Sequence, residues 1–179
     1  FDQNILKNIN AYRISDIEVL IKKLNFEKNI IYKSKIFSSD LIDSLDIKSR
    51  LAYGRLNISK KMAITESKID CSSEINLLEE FSVLDFRCTL DSPNKKKLLK
   101  KFDIVYKKKN ELFYLDVKGN LNISNKKINF DHIKVNNNYN ATAEDLKYFK
   151  STYERILLKD NFLSILNLEK LKKFVLEIS

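Results

Sequence analysis

At 179 residues the chain has the length of one ordinary domain, enough to bury a core and short for two independent ones. Its net charge is +9, yet only five of its 33 basic residues are arginine (Arg13, Arg50, Arg55, Arg87 and Arg155). Phosphate and base recognition favours the planar, bidentate guanidinium, so a lysine excess in an Asn- and Ile-rich chain reads as an AT-rich coding sequence at least as readily as a nucleic-acid surface. The first residue is Phe1, with no basic head, apolar stretch and small-residue cleavage site after it, so the sequence reads as a piece of something longer. No apolar run reaches the roughly 18–20 residues that span a bilayer. The most apolar stretch, Phe162 to Leu168, is broken by Ser164 and Asn167, which puts any membrane anchor outside the chain.

Ile14, Ile17, Leu20, Ile21 and Leu24 recur at helical spacing behind a Ser15 cap, and predict a short amphipathic helix within a lead-in over 1–27. From Lys28 the period changes to two, as in a strand, and an antiparallel β-meander is predicted over 28–135. Its predicted strands are Ile47–Ser59, Met62–Ser72, Ser82–Asp91, Lys101–Lys107, Leu112–Ile123 and Lys127–Val135, and Glu74–Phe81 reads equally as a helical turn or a loop. In the third of these, Leu84, Phe86, Cys88 and Leu90 alternate with Val83, Asp85, Arg87 and Thr89, so that strand covers something apolar on one side only. The polar run Asn136–Asn140 ends the sheet. Thr142 and Asp145 then form a capping-box pattern before a helix with Leu146, Phe149, Tyr153, Ile156 and Leu157 on one face. A second helix near Asn167–Ile178 presents Leu168, Leu171, Phe174, Val175 and Ile178, giving a helical cap over 141–179. The fold class is α+β: one meander, a short N-terminal helix and two amphipathic C-terminal helices.

A self-match runs through the meander. Gly54-Arg55-Leu56-Asn57-Ile58-Ser59 recurs as Gly119-Asn120-Leu121-Asn122-Ile123-Ser124, with lysines after each copy. Ile64, Ile69 and Cys71 then share their spacing with Ile128, Ile133 and Val135, so both copies are expected to form one hairpin, turning near Lys60 and near Asn125. In each returning strand the apolar positions five apart change parity, which requires a bulge or bend.

Catalytic patterns are missing. A single His132 has no Ser or Cys at triad spacing, there is no Gly-x-Ser-x-Gly elbow, and two isolated glycines cannot build a phosphate loop. No cysteine or histidine cluster has metal-ligand spacing, and the adjacent Glu79 and Glu80 diverge in any regular structure. The chain is therefore expected to be no enzyme and to take neither a cofactor nor a metal. Cys71 and Cys88 fall on neighbouring predicted strands, where they either oxidise across the sheet, given an oxidising compartment, or stay small buried thiols. The runs Lys95-Lys96-Lys97, Lys100-Lys101 and Lys107-Lys108-Lys109 are placed at the two ends of a predicted strand, either as solvated turns or in contact with anionic lipid headgroups.

The stretch Val117-Lys118-Gly119-Asn120-Leu121-Asn122-Ile123, followed by Lys127-Ile128-Asn129-Phe130-Asp131-His132-Ile133, a polar break and the tail around Asp145-Leu146-Lys147-Tyr148-Phe149 and Leu171-Lys172-Lys173-Phe174, resembles the extreme C-terminal portion of AsmA-like envelope proteins of the YhdP type. The resemblance covers about Tyr53 to Ser179, and the first fifty residues match nothing in that pattern. It implies the periplasmic segment of a protein anchored in the inner membrane, which lets phospholipids move between the inner and outer membranes along a β-groove, with no catalytic residues. Its partners would be phospholipid acyl chains, the upstream part of the same protein, and membrane or envelope proteins. On this reading Ile64, Ile69, Leu84, Phe86, Leu90, Ile128 and Phe130 line the groove, with Ile64 on its open part, and Leu146, Phe149, Tyr153, Leu171 and Phe174 cap it. Two other readings stay open: a basic module for nucleic acid or polysaccharide, resting on charge alone, and a purely structural cap of a β array.

Overall fold

A computed structural model describes residues 22–33, 42–158 and 168–178. Eight strands form one antiparallel sheet in strict sequence order: β1 (Phe26–Lys33), β2 (Ser44–Ala52), β3 (Arg55–Ile64), β4 (Ser67–Asn76), β5 (Val83–Ser92), β6 (Phe113–Asn122), β7 (Lys127–Val135) and β8 (Tyr139–Asn140). The two- to six-residue turns β2–β3, β3–β4, β4–β5 and β6–β7 leave an antiparallel neighbour as the only accessible partner. The longer β5–β6 connection, which holds a helix, also returns antiparallel, so a meander results. Three helices accompany it: α1 (Lys95–Lys101), α2 (Ala143–Tyr153), which runs on into a π-helical turn over Glu154–Leu158, and α3 (Leu168–Ile178). Of the expected N-terminal helix only its end, Lys22 and Lys23, is helical within the described residues; Ile14 to Ile21 lie outside them. The lead-in stops short of residue 27, because β1 already begins at Phe26.

The first half of the meander corrects the expected turns. Lys60 is the middle of β3, paired with Ile47 on one side and Cys71 on the other. The chain turns instead at Tyr53–Gly54 and at Thr65–Glu66. Tyr53 and Gly54 both take positive φ, 50° and 78°, as a two-residue hairpin of matching twist requires. Hence the predicted strands Ile47–Ser59 and Met62–Ser72 each run across a hairpin turn.

From Phe113 to Val135 the sheet follows the expected lines. β7 spans Lys127–Val135 as predicted, and residues 123–126 form the turn before it. Lys118 pairs with His132 and Gly119 with Phe130, which leaves Asp131 as an extra residue in β7. This bulge is what lets Ile128 and Ile133, five apart, both be buried. In the first copy no bulge is needed, since Ile64 ends one strand, Ile69 belongs to the next, and the turn lies between them. The two copies therefore form different structures: Gly54 sits in a turn and Gly119 in mid-strand.

Lys101–Lys107 is not a strand. Asn94 accepts a hydrogen bond from the Lys97 amide and starts α1, after which residues 102–112 form an irregular loop back to β6. The lysine runs thus belong to a helix and its loop. Glu74–Phe81 divides into the end of β4 and a turn. The capping box at α2 forms as the pattern implies, with the Thr142 hydroxyl accepting from the Asp145 amide and the Asp145 carboxylate accepting from the Thr142 amide.

Candidate functional site

Directly paired residues of an antiparallel sheet share a face, so the register sorts the whole meander into two. One face carries Phe26, Ile30, Leu45, Ile47, Leu51, Leu56, Ile58, Met62, Ile64, Ile69, Ile75, Leu84, Phe86, Leu90, Leu115, Val117, Leu121, Ile128, Phe130, Ile133 and Val135. The other carries a mixture of both charges, including Asp46, Lys48, Arg50, Lys61, Lys68, Asp70, Glu74, Asp85, Arg87, Asp116, Lys118 and Lys134. All seven groove candidates fall on the apolar face. Leu84 and Phe86 point as expected, with Asp85 and Arg87 exposed behind them.

Coverage of that face is uneven. Leu121, Ile128 and Leu158 form a buried cluster, with Leu84, Phe86, Phe130 and Tyr153 packed against it. An aromatic chain of edge-to-face contacts runs Phe86–Phe130–Tyr153–Phe174 and links β5 and β7 to α2 and α3. Burial pushes the Tyr153 phenol up to about 12. The π-helical turn adds buried Ile156, Leu157 and Leu158, and its Glu154 accepts from the Ile128 amide and pairs with Lys127, so the free edge of β7 is covered at its start. Leu146 and Phe149 are half-buried on α2, Phe149 beside Tyr148, while Leu171 lies in α3. At the opposite end of the strands, Ser67 donates to Ser92 in a buried hydrogen bond (2.7 Å) near buried Ile64 and Leu98, and Lys97 of α1 pairs with Glu66 in the β3–β4 turn.

Ile64, at 2% exposure, is thus closed off and not on the open part of the face; Ile128, also at 2%, is core. Among the described residues the helices pack over β5 to β7, and the half formed by β1 to β4 keeps Ile47, Ile58, Met62 and Ile69 only partly covered. Ile47, Ile58 and Met62 were missed at the sequence level, although Leu56, Ile58, Met62 and Ile64 alternate without a break through Lys60 and Lys61. Lys60 stands on this apolar face, and burial lowers its pKa below the ordinary lysine value. Beside it Cys71 and Cys88, directly opposite each other at 4.1 Å between Cα atoms, form a disulfide.

On the polar face Arg87 donates through Nε (3.1 Å) and Nη2 (2.8 Å) to the two oxygens of Asp116, whose carboxylate is almost covered. His132 Nε2 stands 3.9 Å from the same carboxylate. The Arg87 hydrogen bonds hold Asp116 below the usual carboxylate range. A depressed folded-state pKa gives stability that is complete above the unfolded carboxylate value and is lost as pH falls through the folded one. Acidification below about pH 4 is therefore expected to cost stability that Asp116→Asn lacks from the outset, a difference of about 2–4 °C in melting temperature at neutral pH that closes in acid. Equal melting of the two proteins at pH 7 would refute this.

No group of three His, Cys, Asp or Glu residues gathers at metal-binding distance among the described residues. An open depression of about 370 Å³ between β1 and the β2–β3 turn, lined by Phe26, Arg50, Leu51 and Tyr53 among others, holds no nucleophile beside a base. No helix among the described residues is long and apolar enough to cross a membrane. No family model matches the chain, and no curated protein or solved structure matches it either.

Proposed function

We propose that this chain is a non-catalytic C-terminal segment of an AsmA-like periplasmic protein, and that the half-buried stretch of its apolar sheet face around Ile47, Ile58, Met62 and Ile69 carries phospholipid acyl chains between the inner and outer membranes. The observation that carries the reading is the two-sidedness of the sheet. A predominantly apolar face, with Lys60 and Ser73 among its residues, lies against a predominantly polar one, and among the described residues helices lie over only part of the apolar face. Such a trough holds an acyl chain without a specific site, because each buried methylene contributes about 0.8 kcal/mol, while the backbone hydrogen bonds stay within the sheet. The Cys71–Cys88 disulfide supports an oxidising compartment. The mixed charge of the polar face weighs against a polyanion module, which would need a field of one sign.

Photo-crosslinking in the intact protein tests this. A benzophenone side chain at Ile58, Met62 or Ile69 is expected to label phospholipid, and one at Asn57 or Ser72, on the opposite face, is not. Absence of lipid at all three apolar positions, where an upstream position labels, would reduce the segment to a structural cap. The helix-covered cluster around Leu121 and Ile128 is the observation that favours that second reading.

A further inference from the structure

The loop between α1 and β6 is held in place at many points. The Lys95 amide donates to the Glu111 carbonyl, the Lys96 amide to the Asn110 side chain, and the Ile104 amide to the Leu99 carbonyl. The Lys95 ammonium pairs with Glu111 at 2.8 Å and lies 4.9 Å over the Tyr106 ring and 5.0 Å over the Phe113 ring. Tyr106 donates its hydroxyl to Glu111, and Lys172 of α3 reaches Asp103. Leu98 and Ile104 face inward and are buried.

Against this bracing, Val105 is 82% exposed and Leu112 is 73% exposed. In the same helix and loop Lys96, Lys100, Lys107, Lys108 and Lys109 are exposed, with no ion pair closer than that of Lys108 acting at a distance on Glu111 among the described residues. A loop fixed by its own hydrogen bonds while it holds two large aliphatic side chains in water, in a segment rich in exposed cations, has the chemistry of a surface that sits at an anionic lipid interface. Nucleic acid fits less well, since the segment 95–112 contains no arginine and its one tyrosine is engaged by Glu111 and by the Lys95 ammonium over its ring. We propose that the α1–β6 loop is a membrane-docking tip: Val105 and Leu112 enter the interfacial layer of a bilayer, and the exposed lysines of that segment contact the phosphates of its anionic lipids. This rests on the lipid reading above only for its purpose, because the tip places the closed end of the apolar face, at Ile64 and Ser92, next to the membrane.

The experiment is co-sedimentation of the full 179-residue chain with vesicles of phosphatidylcholine alone or mixed with phosphatidylglycerol. Binding is expected only with phosphatidylglycerol. Lys107→Gln, Lys108→Gln and Lys109→Gln together should weaken it about a hundredfold, as three lysines near an anionic surface contribute. Val105→Ser with Leu112→Ser should weaken it by about tenfold or more through the lost apolar contact, the size depending on how much of the five lost carbons enters the bilayer. All five positions are exposed, so unchanged melting curves will show that the variants fold. Binding unaffected by either set overturns the proposal. Loss in the lysine set alone, or binding of duplex DNA as tight as vesicle binding and with the same lysine dependence, also overturns it, by making the loop a plain polyanion surface. Crosslinking at Met62 is read separately, so the trough can fail while docking holds.

Discussion

Replacing Gly119 by alanine is expected to unfold the chain or to cost most of its stability, even though glycine-to-alanine changes in a strand are ordinarily favourable. A Cβ at Gly119 would overlap the Asn129 carbonyl oxygen of the neighbouring strand and press on the Phe86 ring. The first obstacle is backbone, which no rotamer change relieves. The cause is the bulge: where Asp131 is inserted, β7 bends and its main chain closes on β6. Overlap with a paired backbone forces the strands apart and breaks ladder hydrogen bonds on both sides, a loss of about 3 kcal/mol or more out of a total of roughly 5–15. Gly54→Ala offers the contrast. There the obstruction is the Leu78 side chain and the φ of 78° adds strain, so pairing it with Leu78→Ala should restore part of the loss, whereas Phe86→Ala should restore little in Gly119→Ala. Denaturant midpoints of the four variants decide it. A Gly119→Ala protein within about 1 kcal/mol of the parent would mean that the bulge is not where the register puts it.

The residues that made the second half of the meander legible are those whose local chemistry and tertiary role agree. Asn122, Asn125 and Lys126 close a polar turn, Ile128 and Ile133 announce the bulge by their parity, and Thr142 with Asp145 caps α2. The first half misled because Lys60-Lys61 looks like a turn and Gly54 like the start of a repeat. Tyr53–Gly54 is a turn that needs no Asn or Pro, since Gly supplies one positive φ and Tyr53 tolerates the other at 50°. In β3 the alternation of Leu56, Ile58, Met62 and Ile64 ran straight through the lysines and was the better guide. A lysine on an apolar face lays its aliphatic stem along the sheet, so Lys60 breaks the composition pattern without breaking the strand. Lys101–Lys107 shows the opposite error, where Phe102, Ile104 and Tyr106 alternate like a strand but follow a helix started by Asn94.

Partial cover of the Leu84 and Phe86 face by the tail helices was legible from their apolar stripes, but the line of the split between a closed and an open part was not, because it depends on where α1 and those helices land. That split sets the last expectation. Ile64→Arg should abolish folding: at 2% exposure, beside the buried Ser67–Ser92 hydrogen bond and with the nearby Glu66 already paired to Lys97, a buried guanidinium costs several kcal/mol, on the scale of the whole stability. Met62→Arg, two residues back on the same face and half-buried, should fold, because its long side chain can lie along the sheet with the charge in solvent, and should change the melting temperature by only about 2–4 °C. It should nevertheless cut phospholipid crosslinking from Ile58 and Ile69, since it places a charge in the trough between them. Circular dichroism melts of the two variants separate closed from open. If Ile64→Arg melts with the parent protein while Met62→Arg unfolds, the helices cover the other half of the sheet, and the trough proposed for acyl chains lies there instead.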